Sequence, residues 1–223
     1  FEIAKLMQQQ GVDYLGVAFA DEGYDLREAG ISLPIIVMNP EAHSFDIMLK
    51  YDLEPQIYGW DVLQSFSEAV AKAGISRYGV HIKFNTGMNR SGFETSEAEA
   101  VAAKLRQLGN LDVVSAFSHL VESEDPSKDQ GTLRQIADFK AACQTLSDGV
   151  GHTLLRHILN SAGIERFSEH QMEMVRLGIG LYGVSAIDNA RLCNVATLKS
   201  YVAMVRGVKA GQTVGYNRRT VLK

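Results

Sequence analysis

Cysteine is scarce here: Cys143 and Cys193 are the only two in 223 residues. They lie far apart and match no metal-ligand spacing. Two isolated thiols suit a reducing compartment, so a cytoplasmic location is expected. An excess of one charge is also lacking, since 22 Lys and Arg stand against 26 Asp and Glu, a net charge of −4. That balance gives no reason to expect a nucleic acid or an anionic membrane surface as partner. No apolar run is long enough to span a bilayer. There are no internal repeats and no low-complexity tracts. The glycine-rich first turn that normally announces an open dinucleotide-binding sheet is missing too.

What is present is ordinary globular composition, 46% hydrophobic with 20 Gly, and enough length for a large core. Short apolar runs alternate with amphipathic ones. "FEIAKLMQQQG" reads as a helix closed by Gly11, and "DVLQSFSEAVAKAG" as a helix with Asp61 as its N-cap. "SEAEAVAAKLRQLG" is a further helix, stopped by Gly109. Strands are expected near residues 14–19, 35–38, 55–58, 80–85, 113–118, 155–160 and 174–177. Buried strands alternating with helices predict parallel βα units. Seven strands on a chain that opens with a helix predict an α/β fold of the (β/α)8 TIM type, with strands two to eight present. After Gly183 the texture turns to Val- and Thr-rich alternation around a "KAG" turn, which predicts antiparallel β structure. The expected division is a barrel over residues 1–188 and the beginning of a β domain over 189–223. The chain starts inside a helix and stops at "VGYNRRTVLK" without a cap, so a piece of a longer protein is expected.

Barrel chemistry sits at the C-terminal ends of strands. The polar residues there are Lys83, Asn85 and Arg90, then His119, then Asn160 and Ser161, then Arg176 with Gly178 and Ile179. Asn160, Ser161 and the Gly-Ile-Gly turn read either as a cup of N–H donors for an anion or as a helix cap beside a packing turn. Arg176, inside an apolar run, reads as a structural ion-pair partner or as a ligand contact. His119 reads as a satisfied core histidine or a catalyst. Lys83 either points outward among the helices or converges with Arg90, which would depress its pKa.

Taken together, "VDYLGVAFADEGYDLREAGI", "HIKFNTGMNRSGF", "AFSHL", "HILNSAGI", "VRLGIGLYG" and "TVGYN" resemble alanine racemase over essentially the whole chain. The resemblance implies a pyridoxal 5'-phosphate enzyme that interconverts L- and D-alanine for peptidoglycan precursors. It implies a homodimer whose sites are shared between subunits. The cofactor phosphate would rest on Asn160, Ser161, Gly178 and Ile179, with Arg176 facing the pyridine nitrogen and His119 on the ring face. Arg90 would bind the cofactor phenolic oxygen and the substrate carboxylate. Lys83 matches a lysine carried as a carbamate, and Tyr216 matches the second base, reaching the site from the partner subunit. No metal is implied.

Three departures qualify the match. The lysine that binds the cofactor, in a "KANAYG"-like motif, has no counterpart in these residues. Most of the family's β domain is absent, so the chain by itself is expected to be inactive. Asn85 and Asn217 stand where the family usually shows Asp and Gly. The alternatives are another amino-acid racemase or a decarboxylase on the same barrel, and a cofactor-binding barrel without catalysis. Arg176 disfavours decarboxylation, and the residues after 195 speak against the last.

Overall fold

The computed structural model describes residues 1–223. They divide into two compact units, Phe1–Cys193 and Asn194–Lys223. In the first unit, α1 (Glu2–Gln9) leads into β1 (Leu15–Val17), α2 (Ala20–Glu28) and β2 (Ile35–Val37). Then come α3 (Phe45–Lys50), β3 (Glu54–Ile57), α4 (Trp60–Lys72) and β4 (Tyr78–Asn85). A short β5 (Phe93–Glu94) precedes α5 (Ala98–Leu108), β6 (Leu111–Phe117), α6 (Asp129–Val150), β7 (Leu155–His157) and α7 (Ser161–Arg166). The strands pair in parallel in the order β1-β2-β3-β4-β6-β7, with β5 beside β4. This is the parallel sheet of a (β/α)8-type barrel, open between β1 and β7.

The helices follow from their apolar spacing. α5 buries Ala98, Val101, Ala102 and Leu105, an i, i+3, i+4, i+7 stripe. It ends where Gly109 takes a φ of +71°, a conformation that costs glycine little. α4 buries Leu63, Phe66, Ser67 and Val70 in the same spacing. Its N-cap is Gly59 and Asp61 lies one residue inside the first turn, so Asp61 is not the cap the sequence suggested.

β4 is buried on both faces, as an interior parallel strand should be. Val80, Ile82 and Phe84 alternate with His81 and Lys83, and all five are buried. The β4–β6 register shifts between Val80 and His81, so His81 lies opposite Ser115 and Lys83 opposite Phe117. That bulge brings a hydroxyl to His81 where unbroken register would have set Val114.

Two expected strands are absent. Residues 174–177 form no strand. Met174 donates to the Arg156 carbonyl at 3.3 Å and Arg176 to the Leu159 carbonyl at 3.0 Å. Two steps along one segment thus span three along the other, which breaks the ladder. Residues 195–208 are also irregular, because that alternating run finds no strand to pair with. The β structure of the second unit is one antiparallel pair, β8 (Thr213–Val214) with β9 (Thr220–Val221).

Candidate functional site

Arg176 is the most heavily bonded side chain at the C-terminal end of the sheet. Its Nη1 donates to His157 Nδ1 and to the His157 carbonyl, each at 2.9 Å. Its Nη2 donates to the Ser118 carbonyl at 2.5 Å, and to His119 Nδ1 and the Ile158 carbonyl at 3.3 Å. The Nε–H has no partner within the protein. Burial pulls the guanidinium down to about 10, which still leaves it charged at neutral pH. Neither the pure ion-pair reading nor an unpaired arginine describes it: the charge is held by carbonyls and two imidazoles.

His119 is drawn down to about 4, by burial first and then by Arg176, Arg90 and Lys83. It is therefore neutral at physiological pH, with Nδ1 accepting from Arg176. Lys83 lies on the same sheet face as Phe117 and does not point outward among the helices. Its amine donates to Ser91 Oγ at 2.9 Å. Burial, then Arg90 and Arg176, lower it to about 8.

Arg90 is exposed and makes no hydrogen bond or ion pair. Asn85 bonds neither Lys83 nor Arg90. It organises its own loop, accepting from the Asn89 and Gly87 amides and donating to Asn89 Oδ1 and Glu94 Oε1.

Asn160, rather than Ser161, caps α7: its Oδ1 accepts from the Gly163 amide at 2.9 Å and from Ser123 Oγ at 2.8 Å. Ser161 Oγ instead receives the backbone N–H groups of Gly178 at 3.0 Å and Gly180 at 3.1 Å. Two backbone donors therefore converge on one point. A Cβ at Gly180 would press to 3.0 Å from Leu177 Cδ1, while meeting the Ser161 hydroxyl only at ordinary contact distance. Ile179 takes no part in this convergence, and its side chain is exposed.

Tyr216 lies in the second unit with its side chain 98% exposed. The turn around it uses a φ of +82° at Gly215 and +58° at Asn217, a region asparagine enters more readily than most residues.

Residues 1–186 match the family described as alanine racemase, N-terminal domain. The chain belongs to that family. It is 34% identical to the alanine racemase of Desulfovibrio desulfuricans over 213 residues, which span 92% of this chain and 56% of that protein. It is 32% identical to the alanine racemase of Halothermothrix orenii over 219 residues, 96% of this chain and 57% of the relative. The solved alanine racemase of Clostridium difficile 630 superposes with a TM-score of 0.80 at 29% identity, over 99% of this chain and 59% of that one. The chain thus spans a little over half the length of the alanine racemases it matches.

Set within an alanine racemase domain, several participants had escaped the sequence reading. Ser91, which receives the Lys83 amine, is one of them. His81, Ser115 and His157 are wholly buried polar residues inside apolar strands. The "HIK" and "LRH" runs held the only signal, because a polar residue within an apolar strand needs a partner.

Proposed function

We propose that these residues form the cofactor-holding part of an alanine racemase that interconverts L- and D-alanine for peptidoglycan precursors. The observation that carries this reading is the Arg176 guanidinium, immobilised by five contacts through its two Nη atoms, one of them to His119, with its Nε–H left without a protein partner. A planar, permanently protonated donor suits a heteroaromatic nitrogen that must stay unprotonated. The converging amides of Gly178 and Gly180 suit a phosphate oxygen, so the donor set fits pyridoxal 5'-phosphate.

Bound there, the cofactor would supply an electron-withdrawing ring that acidifies the α-carbon of an amino acid. In this reading Asn160, Ser161, Gly178 and Ile179 line the phosphate position, and Ser161 Oγ gives up its two amides to it. Arg176 faces the ring nitrogen and His119 lies on the ring face. Arg90, free of protein partners, takes the substrate carboxylate, with Lys83 as a carbamate beside it. Tyr216 from a second copy exchanges the proton on one face of the α-carbon, which makes the functional unit a homodimer working by a two-base mechanism. The domain division in this proposal is residues 1–188 and 189–223. No helix is long and apolar enough to cross a membrane, and the proposed location is cytoplasmic.

The test is D-alanine formation from L-alanine by the whole protein carrying these residues, with pyridoxal phosphate supplied. Absence of racemisation in a folded, cofactor-loaded protein overturns the proposal. The 223-residue chain alone should not racemise, because none of its lysines lies in a "KANAYG"-like motif.

A further inference from the structure

His157 holds Arg176, and three more side chains continue from it. His157 Nε2 lies 2.9 Å from Ser115 Oγ. Ser115 Oγ lies 2.6 Å from His81 Nδ1, and His81 Nε2 lies 2.6 Å from Glu54 Oε2. The links come from β3, β4, β6 and β7, and the last is the segment after α7. His81, Ser115 and His157 are each 0% exposed, so every proton in the series must be placed within the protein.

The chemistry allows one placement. An arginine only donates, so His157 Nδ1 must accept from Arg176. Burial, then the Arg176 charge, holds the His157 pKa well below the ordinary value, so the ring is neutral and its single proton sits on Nε2. That proton goes to Ser115 Oγ. The serine proton then goes to His81 Nδ1, the proton of His81 sits on Nε2, and it goes to the Glu54 carboxylate. The reverse order would set a proton on His157 Nδ1 against an Arg176 N–H. A doubly protonated His81 would leave the buried Ser115 O–H without an acceptor. A guanidinium thus begins the series and a carboxylate ends it, with no carboxylate touching Arg176 directly. The edge of the Tyr14 ring closes the far end, 5.8 Å from His81.

We propose that Glu54, His81 and Ser115 are positioning residues, forming with His157 a one-way hydrogen-bond relay that reaches across the strands from β3 to β7 and fixes the Arg176 guanidinium. The bulge at Val80 and His81 exists to bring Ser115 into it. Glu54 sets the polarity from one end and Arg176 from the other, so neither imidazole is free to change tautomer. That Arg176 is a functional group in need of holding rests on the function proposed above; the relay itself does not.

The experiment is NMR of the 223-residue chain with 15N-labelled histidine, reading the tautomer and N–H exchange of His81 and His157. The expected result is a single Nε2–H tautomer on both rings. Glu54→Gln should keep both, since its amide oxygen still accepts. Glu54→Leu should release His81 and also speed exchange of the His157 Nε2–H, two links away, by at least about ten-fold, the loss of roughly one buried hydrogen bond. A purely local packing role would leave His157 unmoved. An Nδ1–H on either wild-type ring overturns the relay, as does a Glu54→Leu effect confined to His81. If Glu54→Leu does not fold, the tautomers in the wild type and in Glu54→Gln still decide. No cofactor or turnover enters the measurement, so its failure is distinct from failure of the racemase reading.

Discussion

Phe117 and His157 stack with ring centroids 4.8 Å apart and planes 10° from parallel. The same phenyl ring has Lys83 Nζ 5.9 Å and Arg176 Cζ 5.4 Å from its centroid. A neutral imidazole and two cations therefore share one aromatic surface. The crowding of positive charge there makes the site sensitive to pH.

Lys83 as the free, unmodified amine is the clearest case, at about 8 in the fold. Between that value and the ordinary lysine value of about 10.4, the unfolded chain binds more protons, so this group's contribution makes stability rise with pH. Its cost is fully present below about pH 8. Lys83→Met should therefore stabilise the chain at neutral pH by on the order of 2 kcal/mol, with the advantage vanishing near pH 10. Urea unfolding at both pH values checks this, and a destabilised variant at neutral pH contradicts it.

His119 gives the opposite end of the scale. Its folded value of about 4 lies below the unfolded value near 6.5, so the unfolded chain takes up protons first as pH falls. Stability should be lost progressively from about pH 6.5 down to about pH 4. His119→Gln should flatten that loss by roughly 1–2 kcal/mol. The check is the difference in unfolding free energy between neutral pH and the lower end of that window, and equal slopes in variant and wild type refute the placement.

Ser161→Asp sets a carboxylate against the Gly178 and Gly180 amides. It should weaken binding of pyridoxal phosphate to the chain at least about ten-fold through charge repulsion, and Ser161→Ala should leave the amides available. Titration calorimetry measures both. Unchanged affinity in Ser161→Asp would exclude this cup as the phosphate position.

Tyr216→Phe in the whole protein should abolish or sharply reduce racemisation while cofactor affinity persists. Since the two enantiomers have equal energy, racemisation must fall equally in kcat/KM both ways, and loss of α-proton exchange with solvent from one enantiomer only is the mark of a base that serves that enantiomer. Measuring both directions with purified L- and D-alanine decides the point, and near-normal turnover both ways removes Tyr216 from the mechanism.

The sequence by itself determined the parallel βα order, the helix stops and the family, because apolar spacing and glycine stops are local properties. "SEAEAVAAKLRQLG" buries one stripe and ends at Gly109 in any context that lets it fold. The sequence also carried the candidates Arg176, His119, Ser161 and Gly178. Only the tertiary structure decided what those residues touch. Residues 174–177 were apolar enough for a strand, yet their spacing against β7 breaks the ladder. Residues 195–208 alternate like strands, but a strand exists only when another backbone accepts its hydrogen bonds. The relay was least legible of all: Glu54, His81, Ser115 and His157 are scattered through the chain, and a register bulge brings Ser115 to His81. Hydrogen bonds across parallel strands depend on register, and register belongs to the assembled sheet.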